Sequence, residues 1–94
     1  KNPKFIVYSD DLDMSKKMFK NLDLNFKKTQ NNKAWIDMRN ISFCDHFIIS
    51  NSSYSWWASY LGSTENSITV APKFWYPGQL TNELPIWRKE WILI

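Results

Sequence analysis

Apolar residues fall in short runs separated by polar stretches, and the runs alternate between two periods. Phe5-Ile6-Val7-Tyr8 is continuous and stops at Ser9-Asp10-Asp11, which predicts a short buried strand followed by a helix start. Asp10, Asp11 and Asp13 suit the positive end of that helix, and Lys16, Lys17 and Lys20 suit its other end. Leu12, Met18, Phe19 and Leu22 give it an apolar stripe at roughly helical spacing. Leu24-Asn25-Phe26 reads as a weaker strand running into a polar loop over 27–33. A second helix is predicted from 34 to about 43, with Trp35, Met38 and Ser42 on one side. His46-Phe47-Ile48-Ile49 is the clearest buried strand. It ends in Ser50-Asn51-Ser52-Ser53, side chains that compete for backbone groups and so favour a helix N-cap. The next helix pairs Trp56 with Tyr60 and Trp57 with Leu61 at i, i+4. Gly62 is placed as its C′ stop. A fourth strand covers 67–71 and is closed by Pro72.

Strand, helix, strand, helix, strand, helix, strand is the α/β order, and it predicts one parallel sheet of about four strands with flanking helices. After Pro72 the rhythm breaks, and 73–94 reads as an aromatic C-terminal tail with no clean period. The length of 94 residues suits one domain.

Composition narrows the function classes. Two glycines leave no room for a Walker loop or a GxGxxG turn, and neither motif is present. Cys44 is the sole cysteine, which excludes an internal disulfide and any multi-cysteine metal site. No apolar run is long enough for a membrane-spanning helix. Residues 1–33 hold eight Lys against four Asp, and the remainder holds four Lys or Arg against five acids. Such a lysine-rich stretch is usually a solvated surface. The chain opens at Lys1 without Met or a leader, which is expected of an excised piece.

In an open parallel sheet, ligands bind beyond the carboxyl ends of the strands. Ser9-Asp10-Asp11 and Ser50-Asn51-Ser52-Ser53-Tyr54-Ser55 both occupy such a place. The second offers hydroxyls and backbone N–H groups at the positive end of a helix and carries no carboxylate. It can hold a phosphate without glycines, or its serines simply cap a buried helix. For the Trp56-Trp57 pair, at least one ring is expected in the core. His46 reads as a structural histidine, because no second His or Cys completes a metal site near it. A Ser/His/Asp arrangement stays open by composition, but there is no nucleophile elbow. Asn51-Ser52-Ser53 also matches a glycosylation sequon.

The segment FIISNSSYSWWA over 47–58 resembles the signature of the α-1,2-fucosyltransferases of glycosyltransferase family 11, a variant of NSSFSWWGAWL. The likeness runs along nearly the whole chain. FIVYSDD over 5–11 is similar to the family's FSDD strand end; Asp37, Met38, Cys44 and His46 fall where the family has its acid, Met, Cys and His. Val70-Ala71-Pro72-Lys73 and Glu90-Trp91-Ile92 match its closing segments.

This resemblance implies a partial Rossmann-like sheet, the C-terminal part of the GDP-fucose-binding domain of an inverting GT-B enzyme. The implied parent enzyme moves fucose from GDP-fucose to a galactoside hydroxyl, galactose O2, without a metal or other cofactor. Asp37 stands eight residues before Asp45, the spacing of the guanine-binding Asp in related fucosyltransferases. An ionised carboxylate only accepts, and guanine presents adjacent N1–H and N2–H donors. Ser52, Ser53 and Tyr54 match the relatives' phosphate-binding turn, and Ser9 and Asp10 lie near it in the family pattern. The family's HxRR motif is missing, since Arg39 and Arg88 are isolated; Ala58-Ser59 stands where Gly-Ala is commoner. No catalytic base can be named. By itself the chain is expected to be inactive, with the glycan acceptor bound mainly outside it.

Two other classes remain. A nucleic-acid-binding module would use Lys and aromatics for phosphate contacts and stacking, although no nucleic acid is expected under the family reading. An interaction domain would expose its aromatic surface and self-associate. The abundance of Asn, Ile and Lys suits a bacterial AT-rich gene, with the cytoplasm as the expected compartment and membrane association as an alternative.

Overall fold

The computed structural model describes residues 3–27 and 34–94. The polar loop expected over 27–33 lies, apart from Lys27, outside the described residues. The chain divides into two compact units, Lys1–Asp37 and Met38–Ile94.

The first unit is a strand–helix–strand piece. β1 (Ile6–Tyr8) and β2 (Asn25–Lys27) pair in parallel, with Ile6 opposite Asn25 and Tyr8 opposite Lys27. Between them runs α1 (Leu12–Met18), capped by Asp11, whose carboxylate accepts the Met14 amide. The expected apolar stripe does not form on one helix. α1 ends at its cap residue Phe19, whose φ of −114° and ψ of 27° leave the helical region, so Leu22 lies beyond it, and α1 buries no residue. α2 (Ala34–Ser42) follows, and the boundary between the units falls within it.

The second unit holds the core. β3 (Phe47–Ile48), α3 (Ser53–Gly62) and β4 (Thr69–Ala71) form a second strand–helix–strand piece, with β3 and β4 parallel. In the apolar run Phe47-Ile48-Ile49 the outer two residues are buried and Ile48 is 73% exposed, the alternation a strand imposes. The four expected strands are therefore present, but among the described residues they do not make one sheet. β1–β2 is separate, and β4 has β7 (Ile92–Leu93) on its other edge.

The sequence beyond Pro72 is not a loose tail. β5 (Phe74–Tyr76) and β6 (Gln79–Leu80) form an antiparallel hairpin around Pro77-Gly78. Gly78 has φ of 76°, the left-handed value that a proline-led type II turn requires at its second central residue. A 3-10 turn over Thr81–Glu83 follows, and Thr81 donates its hydroxyl to the Pro72 carbonyl at 2.6 Å. Trp75 joins Phe47, Ile49 and Ala71 in the buried cluster, with Trp56, Ile86, Trp91 and Leu93 packed on it. These aromatic and aliphatic groups cannot remain in water at low cost, which is why the segment folds back.

Gly62 serves a different purpose from the one its position suggests. It is the last residue of α3, and the cap residue Ser63 is extended at φ −71°. A Cβ at position 62 would meet the Ser42 carbonyl and stand 2.8 Å from Phe47 Cζ. Helix propensity alone favours Gly62→Ala by ~1 kcal/mol. The close approach reverses the sign, and chemical denaturation should show the variant less stable by ~1–3 kcal/mol.

Candidate functional site

The clearest candidate is the turn from β3 into α3. Ser52 is the N-cap: it is extended, and its hydroxyl accepts the Ser55 amide at 3.1 Å. The Ser55 hydroxyl lies 2.9 Å from that of Ser52 and donates to the Ser50 carbonyl at 2.9 Å. Ser50 completes the cluster, 3.4 Å from each of the other two hydroxyls. The capping reading of the serines is thus correct for Ser52 and Ser55. It does not cover Ser53, which is exposed and whose N–H and hydroxyl have no partner among the described residues. Two donors therefore stand at the positive end of a ten-residue helix that has no acid in its first turn. Tyr54, half-buried, follows on the same turn.

The C-terminal segment holds this turn in place. Asn51 Nδ2 donates to the Trp75 carbonyl at 2.9 Å, and Trp56 Nε1 donates to the Ile86 carbonyl at 2.9 Å. The nitrogen that a glycan would take is therefore already engaged. Trp56 stacks on Tyr60 at 5.2 Å with 8° between the planes, so the first i, i+4 pair forms as expected. Trp56 packs on the core, whereas Trp57 is 49% exposed and sets its edge against Trp56 and Tyr60.

Asp37 sits on α2 in the first unit. It is only 6% exposed, and its carboxylate has no hydrogen bond or ion pair among the described residues. Among the described residues no fully buried side-chain oxygen lacks a partner, so the carboxylate oxygens of Asp37 keep some exposed surface. Ser9 and Asp10 follow β1 in the same unit. The Ser9 hydroxyl accepts the Asp11 amide at 3.0 Å, and Asp10 is exposed. The six predicted residues thus divide between the units: Ser9, Asp10 and Asp37 in the first, Ser52, Ser53 and Tyr54 in the second.

Other groups are occupied elsewhere. His46 accepts the Ile68 amide on Nδ1 at 3.0 Å, as expected of a structural histidine. Burial, then the neighbouring Asp45 carboxylate, push the Cys44 thiol up, which disfavours a thiolate nucleophile at neutral pH. A cleft of about 570 Å³ lies where β4 and β7 begin, at the end of the strands opposite the one that leads into the serine turn. Its Ser59 and Ser63 hydroxyls are spent on α3 carbonyls. Its Arg88 pairs with Glu90 at 3.3 Å and lies over the Tyr60 ring. Among the described residues no cluster of His, Cys, Asp or Glu is placed to hold a metal ion, and no helix is long and apolar enough to cross a membrane.

Sequence reasoning missed Asn51. Its partner is a backbone carbonyl 24 residues away, a contact that no residue type announces.

The family model for glycosyl transferase family 11 matches residues 1–94. The O-antigen biosynthesis glycosyltransferase WbnK of Escherichia coli is 36% identical over 90 residues, which covers 93% of this chain and 29% of that protein. An alpha-1,2-colitosyltransferase of Escherichia coli is 33% identical over 94 residues, or 96% of this chain and 32% of that protein. This chain thus spans under a third of the length of these relatives. No solved structure matches it. A match along the whole chain establishes that the chain belongs to glycosyl transferase family 11.

Proposed function

We propose that this chain is the donor-nucleotide part of a GT-B glycosyltransferase that moves fucose from GDP-fucose to galactose O2 with inversion. The observation that carries this reading is Ser53, whose N–H and hydroxyl stand exposed and unpartnered at the positive end of α3. Glycosyl transfer from a nucleoside diphosphate sugar leaves negative charge on the diphosphate, and fixed donors aimed at it lower the barrier. Ser53, with Ser52 and Tyr54 beside it, supplies such donors to the β-phosphate. Asp37 accepts from guanine N1–H and N2–H. Ser9 and Asp10 flank the nucleotide. The acceptor is bound by residues outside this chain, and the chain alone does not turn over.

A second reading keeps the nucleotide and changes the sugar. One relative is named an alpha-1,2-colitosyltransferase, which favours a colitosyl donor. Residues outside this chain choose between the two sugars.

The test is an amide-shift titration of the chain with GDP, using ADP as control. GDP is expected to move Asp37 and 53–55 and to bind more tightly than ADP. An equal response to both, spread over the lysines of 1–27, would replace the donor reading with that of a general polyanion binder.

A further inference from the structure

We infer that Asn51 is a positioning residue for the donor diphosphate, and that the segment after Pro72 acts through it as a clamp on the serine turn. The inference rests on the donor reading above. Its basis is the placement of the bonds. Asn51 lies two residues before Ser53, and its side-chain amide is fixed to the Trp75 carbonyl at 2.9 Å. Trp75 is itself anchored, because its side chain is buried with Phe47, Ile49 and Ala71. Further along, Trp56 Nε1 holds the first turn of α3 to the Ile86 carbonyl at 2.9 Å. The residue with free donors thus lies between two tethers, 24 and 30 residues long, that end on the same folded segment.

Nothing inside the turn does this job. The Ser50, Ser52 and Ser55 bonds join residues at most five apart. They shape the turn without fixing it to the rest of the unit. A donor pair that must meet a phosphate oxygen gains from being held in advance, since ordering then costs less on binding. Asn51 touches neither nucleotide nor sugar in this scheme; it acts through Ser53.

The discriminating comparison is GDP against guanosine, which lacks the phosphates that the turn would hold. In Asn51→Ala, GDP affinity should fall roughly five- to tenfold, the range that one neutral hydrogen bond supplies. Guanosine affinity should stay as it was. Asn51→Gln keeps an amide donor and should recover part of the loss. The Trp56 indole N–H resonance reports whether the segment remains docked in each variant.

A measurement on the unaltered chain stands beside these, in case the alanine variant does not fold. Coupling is reciprocal. GDP should therefore slow exchange of the Asn51 side-chain amide protons by a factor similar to the affinity it loses in the variant, and guanosine should leave them unchanged. Affinity for both ligands falling together, or for neither, would overturn the positioning role, as would exchange indifferent to GDP. If the unaltered chain failed to bind GDP in preference to ADP, the donor reading would fall and this inference with it.

Discussion

Asp37→Ala should cost the chain its preference for GDP over ADP. Asp37 is a buried residue, and its carboxylate has no hydrogen bond or ion pair among the described residues, so its acceptor capacity is unspent. Guanine offers two adjacent donors to such a group, whereas adenine turns an acceptor toward it. Hydrogen bonds to a charged partner contribute about 1.5–3 kcal/mol, so GDP affinity should drop by ~10- to 100-fold while ADP affinity holds or improves. Asp37→Asn keeps the shape, but its carbonyl can accept only one of guanine's two donors while its NH₂ faces the other, so it should also lose GDP affinity. Titration calorimetry with both nucleotides reads this directly. Stability gives a second readout. Asp37 has no hydrogen bond or ion pair among the described residues and its carboxylate oxygens are not fully enclosed, so the unfolding midpoint of Asp37→Asn should stay close to that of the unaltered chain. A loss of stability together with unchanged nucleotide preference would make Asp37 a structural residue instead.

The part of the fold that the sequence displays is the part written in local periods. β1, α1, β2, α2, β3, α3 and β4 all occur where apolar runs and polar breaks place them, to within a few residues. Their ends are less legible. Phe19 and Leu22 have helical spacing, but the backbone leaves the helical region at Phe19, at φ −114°, and α1 stops there. The segment after Pro72 defeats periodicity for a clear reason. Phe74, Trp75 and Tyr76 alternate exposed, buried, exposed, yet all three are aromatic, so the period of two is invisible in hydrophobicity. β7 is two residues long and exists because the edge of β4 is open to it. Gly62 shows the same limit: its helix-end position suggests a left-handed cap, while the approach of Ser42 and Phe47 from elsewhere in the unit sets its real role.

The candidate site divides along the same line. A run of hydroxyl residues before a helix is readable as a cap or a phosphate turn, and the structure gives Ser52 and Ser55 to the cap and leaves Ser53 available. That split depends on which oxygen faces which amide, a matter of ångströms that residue type cannot encode. The attachment of the turn through Asn51 and Trp56 is further from view, because both acceptors are main-chain carbonyls.

Trp75→Ala should be the most destabilising single change in the second unit. The side chain is 5% exposed, lies in the buried cluster and stacks on Trp91 at 6.4 Å with 26° between the planes. Truncating a buried Trp to Ala typically costs ~3–5 kcal/mol through lost burial and the cavity left behind. A domain of this size holds only ~5–15 kcal/mol in total, so the variant should show a large fall in urea midpoint. Trp75→Phe, which keeps a ring in the site, should lose less. Trp57→Ala is the control: Trp57 shares the aromatic character but is half exposed on α3, and it should cost far less than Trp75→Ala. Circular dichroism through a urea series separates the three. Equal losses for Trp57 and Trp75 would mean that the outer face of α3 carries as much packing as the inner one, contrary to the burial seen. The expected order has a functional corollary, because the carbonyl that receives Asn51 belongs to Trp75 and survives truncation of its side chain. A variant that still folds but has lost the ring's anchorage would keep the acceptor while letting it move. Its phosphate affinity should then fall in the direction of Asn51→Ala, linking the core to the turn through one backbone oxygen.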